Sequence, residues 1–535
     1  MTRRQEPTRR AFLGKAAEAA GAVTASAVGG GAITSAISGC TASEGAHPVP
    51  SNTKIRLRRS KAENSLPGEP HWWIKDVGAP DAIQGFTGQA SVLPGEPVTL
   101  YVSTTAREFR VNVLRMGWYG GYLGRLIWRS GWLRGHKQKR HLVSGQTRTV
   151  SCDWHPVLTM QTADWPEGSY LLRLDASSGA QRYVPMTVRS YSTAGKVVLK
   201  NAVTTWQAYN AWGGYDLYTG PGGYDERSLA VSMDRPYDGK GADLFLVFER
   251  KLINLAERLG LPLAYTTSID LGRDRHALGD ASALISMGHD EYWSPAEREH
   301  VTSARDSGVN VAFFGANAMF RRIRLAPTKL GPDRLVICYK SSYTQDPMYG
   351  KHNALVTSDW RDPPDPKPES SLTGTLYESN PATAACVVIS PRSWVFHGTH
   401  ATVGTRLRGL VGVEYDRVNP AYPVPKPIEI LAHSPLTCRG IRSYSDMAYY
   451  THAGGAGVFN TGTMRWVQSL APPYGRELAR RDAHFTRQVA VNVLDAFASG
   501  PAAARYPARD NLAAMHEWPG DPVAANHNLW PPVVR

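Results

Sequence analysis

The run 283-ALISMGHDEYWSPAEREHVTSARDSGVNVAFF-314 decides how the chain is read. Residues 284–287 are a short apolar run stopped by Gly288, the pattern of a buried strand. Ser294 then offers a helix N-cap. Pro295 takes the first helical position, where its missing N–H costs least, and Glu297 completes a capping box. The helix is predicted to stop near Ser307, with Gly308 as the left-handed residue beyond it. Residues 309–314 read as the next buried strand, and so short a crossover makes the two strands parallel neighbours. Between strand and helix lies Gly288-His289-Asp290-Glu291-Tyr292-Trp293. In open α/β sheets ligands bind at the carboxyl ends of the strands, which is where this segment falls. In extended backbone His289 and Glu291 point the same way, which suits a metal or an acid–base pair. The plainer reading has Asp290 and Glu291 favouring the positive end of the helix. Ser294, however, already supplies the one acceptor a cap needs.

Outward from this unit, strands and helices alternate. Residues 197–199 read as a strand, followed by the aromatic, glycine-ended stretch 204-TTWQAYNAWGG-214. Residues 243–259 carry apolar side chains at helical spacing and end at Gly260, and 263–265 is a strand. The alternation predicts a parallel sheet over residues 193–500. Residues 336–340 read as a strand ending in Lys340, 410–416 contain Gly-Val-Glu414, 454–466 read as two short strands, and 485–497 as a closing helix. The tail 501–535 is Pro/Ala-rich and loose.

Residues 61–192 read differently. About seven short apolar runs separated by turn residues predict an immunoglobulin-like β-sandwich. Within it, Trp165-Pro-Glu-Gly-Ser-Tyr170 fits a tyrosine corner, in which the hydroxyl bonds back to upstream backbone. The fold class is thus α/β plus all-β: a sandwich followed by a flavodoxin-like, parallel-sheet domain.

The N-terminus is not part of that fold. Arg9-Arg10-Ala-Phe-Leu-Gly resembles a twin-arginine export signal, and Ile37-Ser-Gly-Cys40 a lipobox, so residues 1–40 read as a signal with Cys40 as the lipidated residue. Residues 41–60 are a tether, polar and then basic. The apolar segment 19–37 is too glycine-broken for a membrane span. This places the protein outside the cytoplasm, lipid-anchored on the outer face of the cytoplasmic membrane or secreted. The chain of 535 residues has a formal net charge of +14. For an exported protein this reads as affinity for anionic surfaces, and nothing matches a nucleic-acid-binding motif. Cys152, Cys338, Cys386 and Cys438 match no metal-binding spacing.

From residue 64 to 497 the chain resembles the large (beta) subunit of bacterial N,N-dimethylformamidase and its relatives. The matching motifs are Asn64-Ser-Leu-Pro-Gly68, Arg115-Met-Gly-Trp-Tyr-Gly-Gly121, Trp165-Pro-Glu-Gly-Ser-Tyr170, Gln207-Ala-Tyr-Asn210, Asp234-Arg-Pro-Tyr237, Gly288-His-Asp-Glu-Tyr-Trp293, Tyr339-Lys340 and Gly412-Val-Glu414. The resemblance implies a sandwich packed on a domain similar to class I glutamine amidotransferases. It also implies a mononuclear iron, in the ferric state, held by two tyrosines and a glutamate, carried over by motif to Tyr170, Tyr209 and Glu291. His289, Lys340 and Glu414 match the polar residues around it. Phenolate and carboxylate are hard donors that suit such an ion. The implied activity is hydrolysis of a small amide, with Glu414 or His289 as the base on water and Lys340 steadying the oxyanion. Lys340 and Glu414 also read as ordinary surface ion pairs. For Tyr170 to serve, the sandwich must pack against the carboxyl ends of the parallel strands.

Three features depart from the family. This chain carries export signals, whereas the amidase is cytoplasmic and has a small partner subunit. Asp290 stands where a proline is expected. The strand-to-helix elbow at Phe314-Gly-Ala-Asn317 holds no Cys or Ser, which argues against cysteine-nucleophile chemistry. The competing reading is a non-catalytic envelope protein that binds glycan or an anionic polymer through its aromatics. A hydrolase acting on another envelope-exposed bond is a third. Homo-oligomerisation and a small partner subunit stay open.

Overall fold

The structure, a computed structural model, describes residues 62–475, 478 and 480–515. The twin-arginine motif, the apolar segment, Cys40 and the end of the tail lie outside them. The architecture is mostly β with few helices: a β-sandwich joined to a mixed α/β part.

In the sandwich, Ile83–Thr87, Val98–Thr104 and Leu158–Met160 form one sheet. The second runs Ser91–Val92, Gln181–Val188, Gly168–Ala176, Glu108–Met116, Gly124–Arg129, with Leu133–Arg134 also paired to Glu108–Met116. Apolar residues alternate along these strands, and one set, including Leu100, Val111, Leu172 and Val184, fills a single core between the sheets.

The α/β part is built on a seven-stranded sheet in the order Leu263–Thr267, Val197–Asn201, Ala283–Ser286, Asn310–Phe313, Gly457–Asn460, Ile441–Thr451, Ile428–Cys438. The first four pairings are parallel and the last two antiparallel. The central unit forms as its local signals dictate. Ser294 Oγ accepts from Glu297 N at 3.2 Å, the helix spans Pro295–Asp306, and Gly308 takes φ +99°. Elsewhere the local signals give way. The helical run 243–259 breaks at Glu249 into Asp243–Phe248 and Arg250–Leu259. At the break the Glu249 carboxylate accepts from Asn201 Nδ2 (2.6 Å), Ala202 N (3.1 Å) and Trp206 Nε1 (2.7 Å). Residues 203–208 are a helix, and 454–466 contain one strand, not two. The four cysteines of the described residues are free.

The sandwich meets the α/β part at the carboxyl end of Val197–Asn201. Ser169 and Thr187 each donate to Asn201 Oδ1 at 2.8 Å. Arg115 of the sandwich pairs with Glu257 at 2.6 Å, both buried. Because side chains alternate along a strand, Ser169 facing Asn201 sends Tyr170 to the opposite face. There Tyr170 stacks on Trp165 and donates to Pro166 O at 2.5 Å, inside the sandwich core. This corrects the ligand role carried over to Tyr170. Its hydroxyl is the tyrosine corner, and a different tyrosine stands at Glu291.

Candidate active site

The segment after Ala283–Ser286 is held by backbone that only glycine accommodates. Gly288 sits at φ +140°, and a Cβ on Gly315 would lie 2.0 Å from Gly288 O. The next residues are fixed one by one. Asp290 Oδ2 accepts from Ser286 Oγ at 2.8 Å and pairs with Lys200 Nζ at 2.7 Å. Thr205 Oγ1 accepts from Glu291 N at 3.0 Å. Glu291 is fully buried, and its carboxylate gathers hydroxyls. Tyr209 Oη donates to Oε2 at 2.6 Å. Tyr218 Oη lies 2.7 Å from Oε1 and 2.8 Å from Oε2. The two phenol oxygens are 3.0 Å apart, their rings are stacked, and Tyr292 Oη donates to Tyr218 Oη at 2.7 Å.

Tyr218 was not foreseen. It stands at the end of an Asx turn in which Asp216 Oδ1 accepts from Tyr218 N (2.7 Å) and Thr219 N (2.6 Å). That Asp-Leu-Tyr-Thr pattern, inside the glycine-rich stretch after Tyr209, is the local signal for it. Arg321 is the other residue not anticipated. Its Nε lies 3.3 Å from Glu291 Oε1 and its other end pairs with Asp359.

Three further residues expected at the site surround this cluster. His289 packs its ring against Tyr209, with Nε2 3.6 Å from Glu291 Oε2 and Nδ1 3.9 Å from Glu414 Oε2. Glu414 is fully buried rather than on the surface, and Oε2 accepts from Asn317 Nδ2 at 2.8 Å. Asn317 occupies the elbow after Asn310–Phe313 with φ +60°. Lys340, also left-handed at φ +55°, donates to Leu217 O at 2.6 Å and lies 3.1 Å from the centre of the Tyr218 ring. Burial, and then the neighbouring Arg321 guanidinium, pushes the Lys340 ammonium well below its ordinary value. Burial, and then Glu291, raises the Tyr292 phenol well above its own.

The donor set fits a hard cation. Two phenol oxygens and a carboxylate converge within 3.0 Å of one another in a buried cluster. Among the described residues no group of three or more His, Cys, Asp or Glu could hold a metal, so a metal centre here would depend on the tyrosines.

These features define a mixed α/β protein with a β-sandwich and a buried tyrosine–carboxylate centre at the carboxyl ends of its parallel strands. The chain belongs to the N,N-dimethylformamidase beta subunit-like family, whose C-terminal region matches residues 110–479. The family resemblance read from the sequence is borne out, and membership supports amide hydrolysis at the level of the family. No curated protein matches the chain. Among solved structures, a cycloisomaltooligosaccharide glucanotransferase of Paenibacillus sp., complexed with cycloisomaltoheptaose, aligns at 10% identity and TM-score 0.14, over 46% of this chain and 28% of its own. Cwp6 from Clostridium difficile aligns at 13% identity and TM-score 0.12, over 44% of this chain and 37% of its own. The chain therefore spans well under two thirds of either, and neither likeness carries an argument.

Proposed function

We propose that this chain is an exported, iron-dependent hydrolase of an amide C–N bond. One observation carries the reading: the Tyr209 and Tyr218 hydroxyls converge on the Glu291 carboxylate, with His289, Glu414 and Lys340 around them. Tyr209, Tyr218 and Glu291 would hold the metal, which when bound polarises a carbonyl and lowers the pKa of water. We read the finer fold as immunoglobulin-like in the sandwich and glutamine-amidotransferase-like beyond it.

The residues around the centre divide the proton work. His289 stands between two carboxylates, which favours its accepting a proton from water as the oxygen attacks the amide carbon. Glu414, held by Asn317, orients the imidazole. Lys340 is fixed by Leu217 O and faces the rings that border the site, where a remaining N–H of its amino group can donate to the carbonyl oxygen as charge develops there. When the C–N bond breaks, the proton taken by His289 passes to the leaving nitrogen, giving a carboxylic acid and an amine. Burial of Glu291 and His289 keeps bulk water from screening these charges.

The test is direct. Purified protein prepared without chelators should hold about one iron per chain, absorb in the visible through tyrosinate-to-iron charge transfer, and release dimethylamine from N,N-dimethylformamide or a larger tertiary amide. A colourless, iron-free protein after iron supplementation would leave the glycan- or polymer-binding reading standing. Export is tested separately: Arg9→Lys with Arg10→Lys should leave unprocessed protein in the cytoplasm, and Cys40→Ala should remove the lipid.

A further inference from the structure

The short strand Arg321–Arg322 runs parallel to Tyr292–Trp293 and lies against the candidate site along its backbone. Arg321 N donates to Glu291 O at 2.8 Å, and Met319 N and Ile323 N donate to Asp290 O and Trp293 O. Successive side chains of a strand point to opposite sides, so the two arginines part. Arg322 turns to Asp365, its guanidinium 4.3 Å from the centre of the Trp360 ring. Arg321 turns to Glu291, where Nε donates to Oε1 at 3.3 Å. It therefore holds residue 291 twice, by main chain and by side chain. Thr205 Oγ1 accepts from Glu291 N at 3.0 Å, so Glu291 is held at N, O and Oε1.

The far end of the same guanidinium is anchored. Nη1 donates to Asp359 Oδ1, and the Asp359 backbone forms an antiparallel bridge with Arg321. Trp360 N donates to Phe320 O at 2.9 Å, and the guanidinium carbon lies 4.4 Å from the centre of the Phe320 ring. The Arg321 side chain is 9% exposed and that of Asp359 14%, so water screens the pair little. An arginine stays charged in a protein, and its rigid planar fork serves two carboxylates at once; a lysine is a single point charge. The row Glu291–Arg321–Asp359 thus alternates in charge, and it makes the two oxygens of Glu291 unlike. Oε1 accepts a charge-assisted hydrogen bond from Arg321. Oε2 accepts from Tyr209 at 2.6 Å and lies 3.6 Å from His289 Nε2.

We infer that Arg321 is a positioning residue for Glu291: anchored by Asp359, it binds Oε1, keeps Oε2 turned to Tyr209 and His289, and tempers the charge that the carboxylate presents there. Arg321 acts through Glu291 and does not itself meet the substrate. The consequence for a bound ion rests on the iron reading of this site. With the cation in place Glu291 gives up less charge, so the ferric state is held less firmly against reduction and the site polarises a carbonyl more strongly. Asp359, beyond the guanidinium, acts in the opposite sense.

A double-mutant cycle on the full chain, stripped of metal by a chelator, tests the hold on Glu291. Arg321→Met and Glu291→Gln, alone and together, are compared in urea denaturation. Their effects on the unfolding constant should be coupled at least about fivefold, and coupling below about twofold overturns the inference. A second measurement separates positioning from a plain structural ion pair. In iron-loaded protein the ferric/ferrous midpoint potential should fall in Arg321→Met, which removes a cation beside Glu291, and rise in Asp359→Asn, which removes the anion beyond it. Shifts of like sign, or no shift in either variant, overturn the inference. Asp359→Asn keeps both Arg321 and Glu291, and it decides alone if Arg321→Met does not fold: a potential that stays or falls overturns the inference. A parent that takes up no iron yet shows the coupling sinks the iron reading and leaves the hold of Arg321 on Glu291 supported.

Discussion

Tyr218 Oη lies 2.7 and 2.8 Å from the two oxygens of the Glu291 carboxylate, although 73 residues separate them in the chain. The same hydroxyl receives a hydrogen bond from Tyr292 at 2.7 Å and lies 3.0 Å from the Tyr209 hydroxyl. It is the hub of the cluster, which makes it the residue on which the proposed metal centre is most sharply tested.

Tyr218→Phe keeps the ring, its stacking on Tyr209 and its contact with Lys340, and removes one oxygen. Iron content and the visible band should both drop, and amide hydrolysis with them, while the fold survives. Tyr170→Phe is the matched comparison. It removes only the bond to Pro166 O, so it should cost about 0.5–1.5 kcal/mol in chemical denaturation and leave iron and colour unchanged. If Tyr170→Phe bleaches the protein and Tyr218→Phe does not, the assignment is inverted.

The contrast between these tyrosines shows what the sequence makes legible. The unit around residues 283–314 is encoded within a few turns of chain: an apolar run, a capping Ser, Pro at the first helical position and Gly after the last. The structure follows it closely. Tyr170 was also legible locally, since Trp165-Pro-Glu-Gly-Ser-Tyr170 describes a tyrosine corner and that is what forms. The ligand role carried over by family motif failed because strand alternation turns Tyr170 away from the face that Ser169 shares with Asn201. Tyr218 was illegible for the opposite reason. Its Asx turn is a local signal, but nothing local says that the turn lies under Glu291; that proximity comes from the sheet and from Lys340 reaching Leu217 O. Glu249 was hidden similarly. Its run has helical spacing, and only the donors of Asn201, Ala202 and Trp206 pull it out of the helix.

Packing and coordination should separate. Leu284 lies fully buried in the strand that leads to Gly288. Leu284→Ala removes no polar atom and leaves a cavity, so it should cost about 2–5 kcal/mol in urea denaturation. At temperatures where the variant is folded, iron per chain should match the parent. A selective loss of iron from this variant would mean that the site depends on strand packing rather than on its donor atoms.

The Lys200 ammonium should be the costliest single deletion near the site. It is fully buried, lies 2.7 Å from Asp290 Oδ2 and 2.5 Å from Glu297 Oε1, and stands 3.6 Å from the centre of the Trp293 ring. Lys200→Met keeps the length of the side chain and strands two buried carboxylates, a loss of about 3–5 kcal/mol. Replacing Glu297 by Gln in the same chain leaves one carboxylate for Ser286 Oγ to serve and should recover part of that loss. A double variant no more stable than Lys200→Met would show that the charge balance of this triad is not what matters.

The pH dependence of stability should carry the signature of Glu249. Burial pushes its carboxyl up to about 8, against hydrogen bonds from Asn201, Ala202 and Trp206 that pull the other way. In the unfolded chain the group returns to the ordinary carboxylate range. The folded state therefore binds the extra proton between those two values. Its contribution to stability is fully present below the unfolded value and is lost as pH rises through about 8. Asp416, raised to about 7, acts with the same sign, so stability should decline from mildly acidic to mildly alkaline pH. Glu249→Gln removes one titrating group from that sum. The amide keeps an oxygen for Ala202 N and Trp206 Nε1, but its nitrogen faces Asn201 Nδ2, which is held in place because Asn201 Oδ1 serves Ser169 and Thr187. The variant should thus be less stable than the parent at low pH, by about the cost of one unmade buried hydrogen bond, 1–3 kcal/mol. The gap should narrow as pH rises toward 8, because only the parent loses stability through this group. Denaturant midpoints taken from pH 5 to 8.5 check both halves, and parallel pH curves for the two proteins would show that Glu249 is already ionised in the fold.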